Sequence, residues 1–177
     1  MAGFSLRGHI LGAQNPVLEN LIISNSDTIV IGDVVSISAG FIIPGTSSTI
    51  NYGICVGIVS NKGIPLDNVA TSEYDGTWTS SSGTYVAASD NETDKKVRAV
   101  VCPDPYALWY NDADGTLTTA MLKLKFHLTS ASQINYSTSS ATAGDFQLWK
   151  LDPDEDGDAS KGLFRFATWQ GYGYTPT

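Results

Sequence analysis

The sequence predicts an all-β protein: a compact antiparallel barrel or sandwich with an extended N-terminal arm and a C-terminal tail. Three observations predict it. Strand-length apolar runs are separated by turn signals along most of the chain. Gly, Ser and Thr are abundant, as suits short strands and turns better than long helices. One segment, Leu122-Lys-Leu-Lys-Phe-His-Leu128, alternates strictly, with Leu122, Leu124, Phe126 and Leu128 on one face and Lys123, Lys125 and His127 on the other. With 177 residues, 42% of them hydrophobic, the chain is long enough to bury a core as one domain.

Residues 1–16 read as an arm, with Gly3, Gly8, Gly12 and Pro16 and no period. A β domain follows over 17–168, with room for a barrel plus a smaller β subdomain, and 169–177 forms the tail. Val17-Leu18 and Leu21-Ile-Ile23 are strand-like, and Asn25-Ser-Asp27 signals a turn. Thr28–Ile31 and Val34–Ile37 form two strands about a kink or tight turn at Gly32-Asp33. Gly53–Ser60 is a further β-branched run. Residues 69–83, rich in Ser, Thr and Gly, read as a long exposed loop or weak hairpin. Tyr85–Ser89 and Lys96–Val101 are strands around the charged turn Asp90–Asp94. Pro103-Asp-Pro105 stops the second of these, since proline gives a ladder no donor. Tyr106–Tyr110 resumes. Thr116–Leu124 is the one plausible helical turn. Asp145–Asp152 alternates, with Phe146, Leu148 and, if the alternation runs on, Lys150 on one face and Trp149 and Leu151 on the other. Gly162–Trp169 is the last strand.

The charge balance excludes several functions. Net charge is −8, which repels phosphate backbones, and no basic patch stands out in the sequence, so no nucleic-acid partner is expected. No run approaches the roughly 20 apolar residues of a membrane helix, and no leader is visible, so synthesis in a host cytoplasm without membrane association is expected. Cys55 and Cys102 sit in core-like runs and read as buried reduced thiols, with a single bridge between them the minority alternative.

Reactive constellations are scarce. The two histidines, His9 in the arm and His127 on the polar face of its strand, offer no zinc spacing, and the chain has no nucleophile elbow and no phosphate-cradling glycine loop. The catalytic set is therefore read as none and the protein as a non-enzyme. The sharpest motif is Asp152-Pro-Asp154-Glu-Asp156-Gly157-Asp158, five carboxylates in seven residues. It looks like the first half of a calcium loop, so Asp152, Asp154, Asp156 and Asp158 are candidate calcium ligands, but Leu163 stands where a bidentate glutamate belongs. A solvated acidic loop is the plainer reading, and no other cofactor is expected. Asp112-Ala-Asp114-Gly115 is a weaker version and chiefly a turn. Trp109, Trp149 and Trp169 lie in alternating segments and read as packing residues. Trp78 lies in a polar loop. The tail Trp169-Gln-Gly-Tyr172-Gly-Tyr174 combines a flexible backbone with sticky rings.

Ile29-Val-Ile-Gly-Asp-Val-Val-Ser-Ile37 followed by Gly53-Ile-Cys-Val-Gly-Ile-Val59 resembles the small decoration (cement) proteins of tailed-phage heads, in which a hydrophobic–Gly-Asp–hydrophobic strand pair precedes a Gly-Ile strand. Asn111–Leu117, Gly144–Leu148 and Lys161–Arg165 resemble phage virion proteins of similar size. The resemblance covers about half the chain. It implies a structural virion protein on the outer capsid surface that bridges major capsid protein subunits as a trimer or dimer. The candidate partner-binding residues are Phe4, Leu6 and Arg7 in the arm, Trp78, and Trp169, Tyr172 and Tyr174 in the tail. The alternative is a carbohydrate- or receptor-binding virion module using Trp78 and the tail tyrosines.

Overall fold

A computed structural model of the chain describes residues 3–10, 12, 15–47, 50–94, 97–151 and 160–167. In chain order its strands are β1 (Ser5–His9), β2 (Glu19–Ile22), β3 (Thr28–Val30), β4 (Val34–Ser38), β5 (Phe41–Pro44), β6 (Gly53–Ser60), β7 (Thr77–Thr79), β8 (Thr84–Val86), β9 (Val97–Cys102), β10 (Ala107–Asp112), β11 (Lys125–Phe126), β12 (Leu128–Ser130), β13 (Gln133–Ile134), β14 (Phe146–Leu151) and β15 (Lys161–Phe166). Among the described residues helix is confined to one turn at Asn91–Asp94 and short 3-10 turns, among them Thr119–Met121 inside the segment that read as helical.

The strands form four antiparallel sheets, ordered β1-β10-β15-β14-β11, β12-β13, β2-β9-β6-β4-β5 and β3-β8-β7. The architecture is an all-β sandwich and not a closed barrel. The second five-stranded sheet curls until its edge strands touch through one bridge, Ile23 with Ile42, but no ladder seals it. The segment 77–86 is a hairpin: β7 pairs with β8 from Thr77 opposite Val86 to Thr79 opposite Thr84.

Two hydrophobic cores lie on the two faces of the sheet containing β4, β6 and β9. The first gathers Val34, Ile54 and Cys102 with Phe4, Trp109, Phe126, Phe146, Leu148, Phe164 and Phe166. The second gathers Val35, Cys55 and Val101 with Ile23, Ile29, Ile42, Ile58 and Tyr85. Successive residues of one strand therefore enter different cores, because side chains alternate across a pleated sheet. A strand buried on both faces reads as a continuous apolar run, as Gly53–Ser60 does. Each large side chain removed from water here stabilises the fold by about 1.5–3 kcal/mol.

Gly32-Asp33 joins the parts. Gly32 lies at φ +99°, its carbonyl accepts the Phe4 N–H at 2.8 Å, and its own N–H donates to the Cys55 carbonyl at 2.8 Å. A Cβ at Gly32 would stand 3.2 Å from the Phe4 backbone, so close approach and backbone angle both favour glycine. The Cys55 N–H returns to the Asp33 carbonyl at 2.8 Å. One turn thus ties β3, β4, β6 and the residues before β1 together.

The segment read as an arm is attached to the body where it is described. β1 pairs with β10, with a bulge between Leu6 and Gly8, and Phe4 is a core residue. The tail beyond Ala167 lies outside the described residues.

Candidate functional site

β1 occupies the end of its sheet, so one side of its backbone has no strand partner among the described residues. Beside it lies an open groove of about 980 Å³, bordered by Leu6, Leu18, Val56, Tyr110, Asp112 and Lys161. Its rim is apolar: Leu6 is 39% exposed, Leu18 54%, and the adjacent Val17 60%. Arg7 lays its guanidinium 5.1 Å from the centre of the Tyr110 ring, placing a cation at the same edge. An unpaired strand edge beside apolar side chains is suited to receiving an extended segment of another chain.

The arm residues have different positions. Leu6 and Arg7 face this groove, but Phe4 is 5% exposed and stacks on Phe146 at 4.7 Å between ring centres, with Phe166 a further 4.6 Å from Phe146. Phe4 is a plug of the first core, and its contribution to the groove is to fix the path of β1. The sequence showed no period here, and the glycines around Phe4 concealed the strand.

Trp78 lies in β7, half-buried, and packs on the second core. Its indole N–H donates to the Asp67 carboxylate at 2.8 Å. Hydrogen bonds from Ser80 and then Trp78 hold the Asp67 carboxyl below its ordinary range. Trp169, Tyr172 and Tyr174, and the calcium candidates Asp152, Asp154, Asp156 and Asp158, lie outside the described residues. The Asp112 and Asp114 carboxylates are taken up by groups distant in sequence. Asp112 accepts the Ser160 hydroxyl, and Asp114 accepts the Thr129 hydroxyl at 2.6 Å and the Tyr136 N–H at 2.7 Å. Asp75, Asp90 and Asp94 bring carboxylate oxygens within 4.8 Å of one another, an arrangement common on acidic surfaces.

Both histidines are paired with buried aspartates that sequence reading did not find. His9 Nε2 lies 3.0 Å from Asp104 Oδ2, with side chains 6% and 9% exposed. This pair clasps the end of β1 to the bend between β9 and β10, across 95 residues of sequence. His127 Nδ1 lies 3.1 Å from Asp145 Oδ2, and the same oxygen accepts the Leu128 N–H at 3.3 Å. Burial pushes the Asp145 carboxyl upward against the pull of His127 and the Leu128 N–H. The nearby Thr138 hydroxyl accepts the His127 backbone N–H and donates to the Asn135 carbonyl, so it is engaged by backbone and not by the imidazole.

The cysteines are free and buried, as their sequence context predicted. They point into opposite cores, since Cys102 stands opposite Ile54 while Cys55 stands opposite Val101. Burial pushes the Cys55 thiol up to about 12 and the Cys102 thiol up to about 11. Both remain protonated at neutral pH, and a protonated thiol is a poor nucleophile. No family model, curated protein or solved structure matches the chain.

Proposed function

We propose that this chain is a non-enzymatic structural protein that attaches to the outer surface of a virion shell and bridges major capsid protein subunits, acting there as a dimer or trimer. The observation that supports the reading most directly is the open edge of β1 beside the apolar rim of Leu6, Val17 and Leu18. Such an edge gains backbone hydrogen bonds from an added strand, and the groove takes alternate side chains of that strand. The net charge of −8 keeps the free subunit soluble and turns it away from packaged nucleic acid.

The test uses particles of the encoding virus assembled without this chain. Added wild-type protein is expected to bind them and to raise their resistance to heat and low salt. Leu18→Asp, a change at a 54% exposed position, is expected to lower occupancy without changing the subunit's unfolding midpoint. Particles that do not take up wild-type protein, or that take up Leu18→Asp equally well, count against the reading.

The carbohydrate-binding alternative has one observation in its favour, the exposed Asp67 carboxylate beside the Trp78 indole. It requires Trp78→Ala to abolish glycan binding while shell attachment is kept.

A further inference from the structure

The chain has ten Lys and Arg residues, and five of them, Lys123, Lys125, Lys150, Lys161 and Arg165, lie on β11, β14, β15 or just before β11. Three strands of an acidic protein, with the residue two before the first of them, thus carry half its cations. On β14 and β15, Phe146 stands opposite Phe166 and Leu148 opposite Phe164, all in the first core. The intervening pair, Gln147 opposite Arg165, therefore lies on the outer face, and Lys125 stands opposite Gln147 from the other side.

Gln147 arranges its neighbours. Its Oε1 accepts Arg165 Nε–H at 2.8 Å, and its Nε2 donates to the Lys123 carbonyl at 2.7 Å. Lys123 is held at φ +70°, a region costly for a residue with a Cβ. Its backbone N–H donates to the Leu148 carbonyl at 2.9 Å, and its Nζ stands 3.2 Å from the centre of the Trp149 ring. The Arg165 guanidinium carbon lies 5.0 Å from the same centre. Arg165 is only 8% exposed, yet no carboxylate among the described residues pairs with it or with Lys123. A largely buried cation without a counter-charge is unfavourable, and backbone strain that brings a second cation beside it adds to the cost. Desolvation and the nearby Arg165 both lower the Lys123 ammonium from its ordinary value.

We propose that Arg165, Lys123 and Trp149 form a docking site for carboxylates on an acidic segment of a partner protein. The fork of Arg165 matches a carboxylate, and Arg with Trp in a desolvated setting is the composition of an interface anchor. Charge complementarity selects the partner class. Two converging cations suffice for an acidic side chain, whereas a polyphosphate chain must also approach a protein carrying a net charge of −8. The site lies on the outer face of β14 and β15, apart from the groove at β1, and does not depend on the shell-binding reading.

The test is titration of the full chain with hexaglutamate, hexathymidylate and sodium phosphate in separate arms. Binding is followed by the Trp149 indole N–H and Arg165 Nε–H signals in NMR spectra. Hexaglutamate is expected to move both signals saturably, with affinity falling as NaCl rises. Lys123→Gln, a change at an exposed lysine, is expected to weaken binding about tenfold, as loss of a charge-assisted contact does. Its urea midpoint is measured alongside, so that a folding defect is recognised. Leu18→Asp should leave the titration unchanged, which separates this site from the groove. The proposal is overturned if hexaglutamate leaves the two signals unmoved, if Lys123→Gln binds as well as wild type, or if hexathymidylate or phosphate binds more tightly than the peptide.

Discussion

Replacing Asp33 with asparagine is expected to make the fold more stable at neutral pH and to remove a pH dependence. Asp33 is 7% exposed, and its Oδ2 accepts the Val30 N–H at 3.0 Å. Burial pushes its carboxyl from 3.8 up to about 6, against the smaller opposing effect of the Val30 hydrogen bond. The sign follows from linkage. A group whose folded value is raised binds protons more tightly in the native state, so its contribution is complete below about pH 4 and is lost as pH rises through about 6. At about 1.4 kcal/mol for each pH unit, the displacement amounts to about 3 kcal/mol withdrawn between pH 4 and pH 7. The neutral amide that Asp33→Asn introduces can still accept the Val30 N–H through its oxygen, but carries no charge to desolvate. The assay is urea unfolding followed by tryptophan fluorescence from pH 4 to pH 8, with wild type and Asp33→Asn compared at each pH. The difference between them isolates this residue from Asp145, whose carboxyl is also raised. The variant is expected to gain on wild type steadily as pH rises, by about 1–3 kcal/mol at pH 7. A difference that stays constant across the range would refute the reasoning.

Other outcomes follow from the packing. Phe4→Ala should cost about 3–5 kcal/mol of unfolding free energy, as removal of a buried ring does; a loss under about 1 kcal/mol, typical of surface changes, would return this residue to a free arm. His9→Ala leaves the buried Asp104 without its imidazole and should cost about 1–3 kcal/mol. Hydrogen exchange should then quicken at β1 and not at β6, and unchanged protection of β1 would show that the pair is no clasp. Cys55 and Cys102 should resist a thiol reagent in the native state and both react in denaturant, with no disulfide on non-reducing gels; rapid native labelling of either would contradict their burial.

The sequence made the sheet faces legible where alternation ran undisturbed, and less so where a local backbone feature shifted its phase. Thr28–Ile31, Val34–Ile37 and Gly53–Ser60 fall within one or two residues of β3, β4 and β6. In Leu122–Leu128, Phe126 and Leu128 are core residues and Leu124 packs against the first core as the period required, but Leu122 is 38% exposed because Lys123 turns through a positive φ. In β14 a bulge after Leu148 returns Leu151 to the first core, whereas strict alternation had placed it with Trp149. The same bulge region holds Trp149 beside two cations on the outer face, where the alternating context had suggested packing. Leu6 and Arg7, singled out in the sequence as partner-binding candidates, border the groove at β1. The groove itself was not legible, since it also needs Leu18, Val56 and Lys161, which only the tertiary fold brings near. The two histidine–aspartate pairs were hidden for the same reason.

Because β4, β6 and β9 serve two interiors at once, each fixes the alignment of the other. Sliding β6 by one position would send Ile54 into the space shaped for the Cys55 thiol and Cys55 into the space shaped for Val56. One chamber would be overfilled and the other left with a void, so the penalty for mispairing arises on both sides of the same strand. A sheet guarded in this way can leave its neighbour's outer strand open to other chains while its own alignment stays fixed.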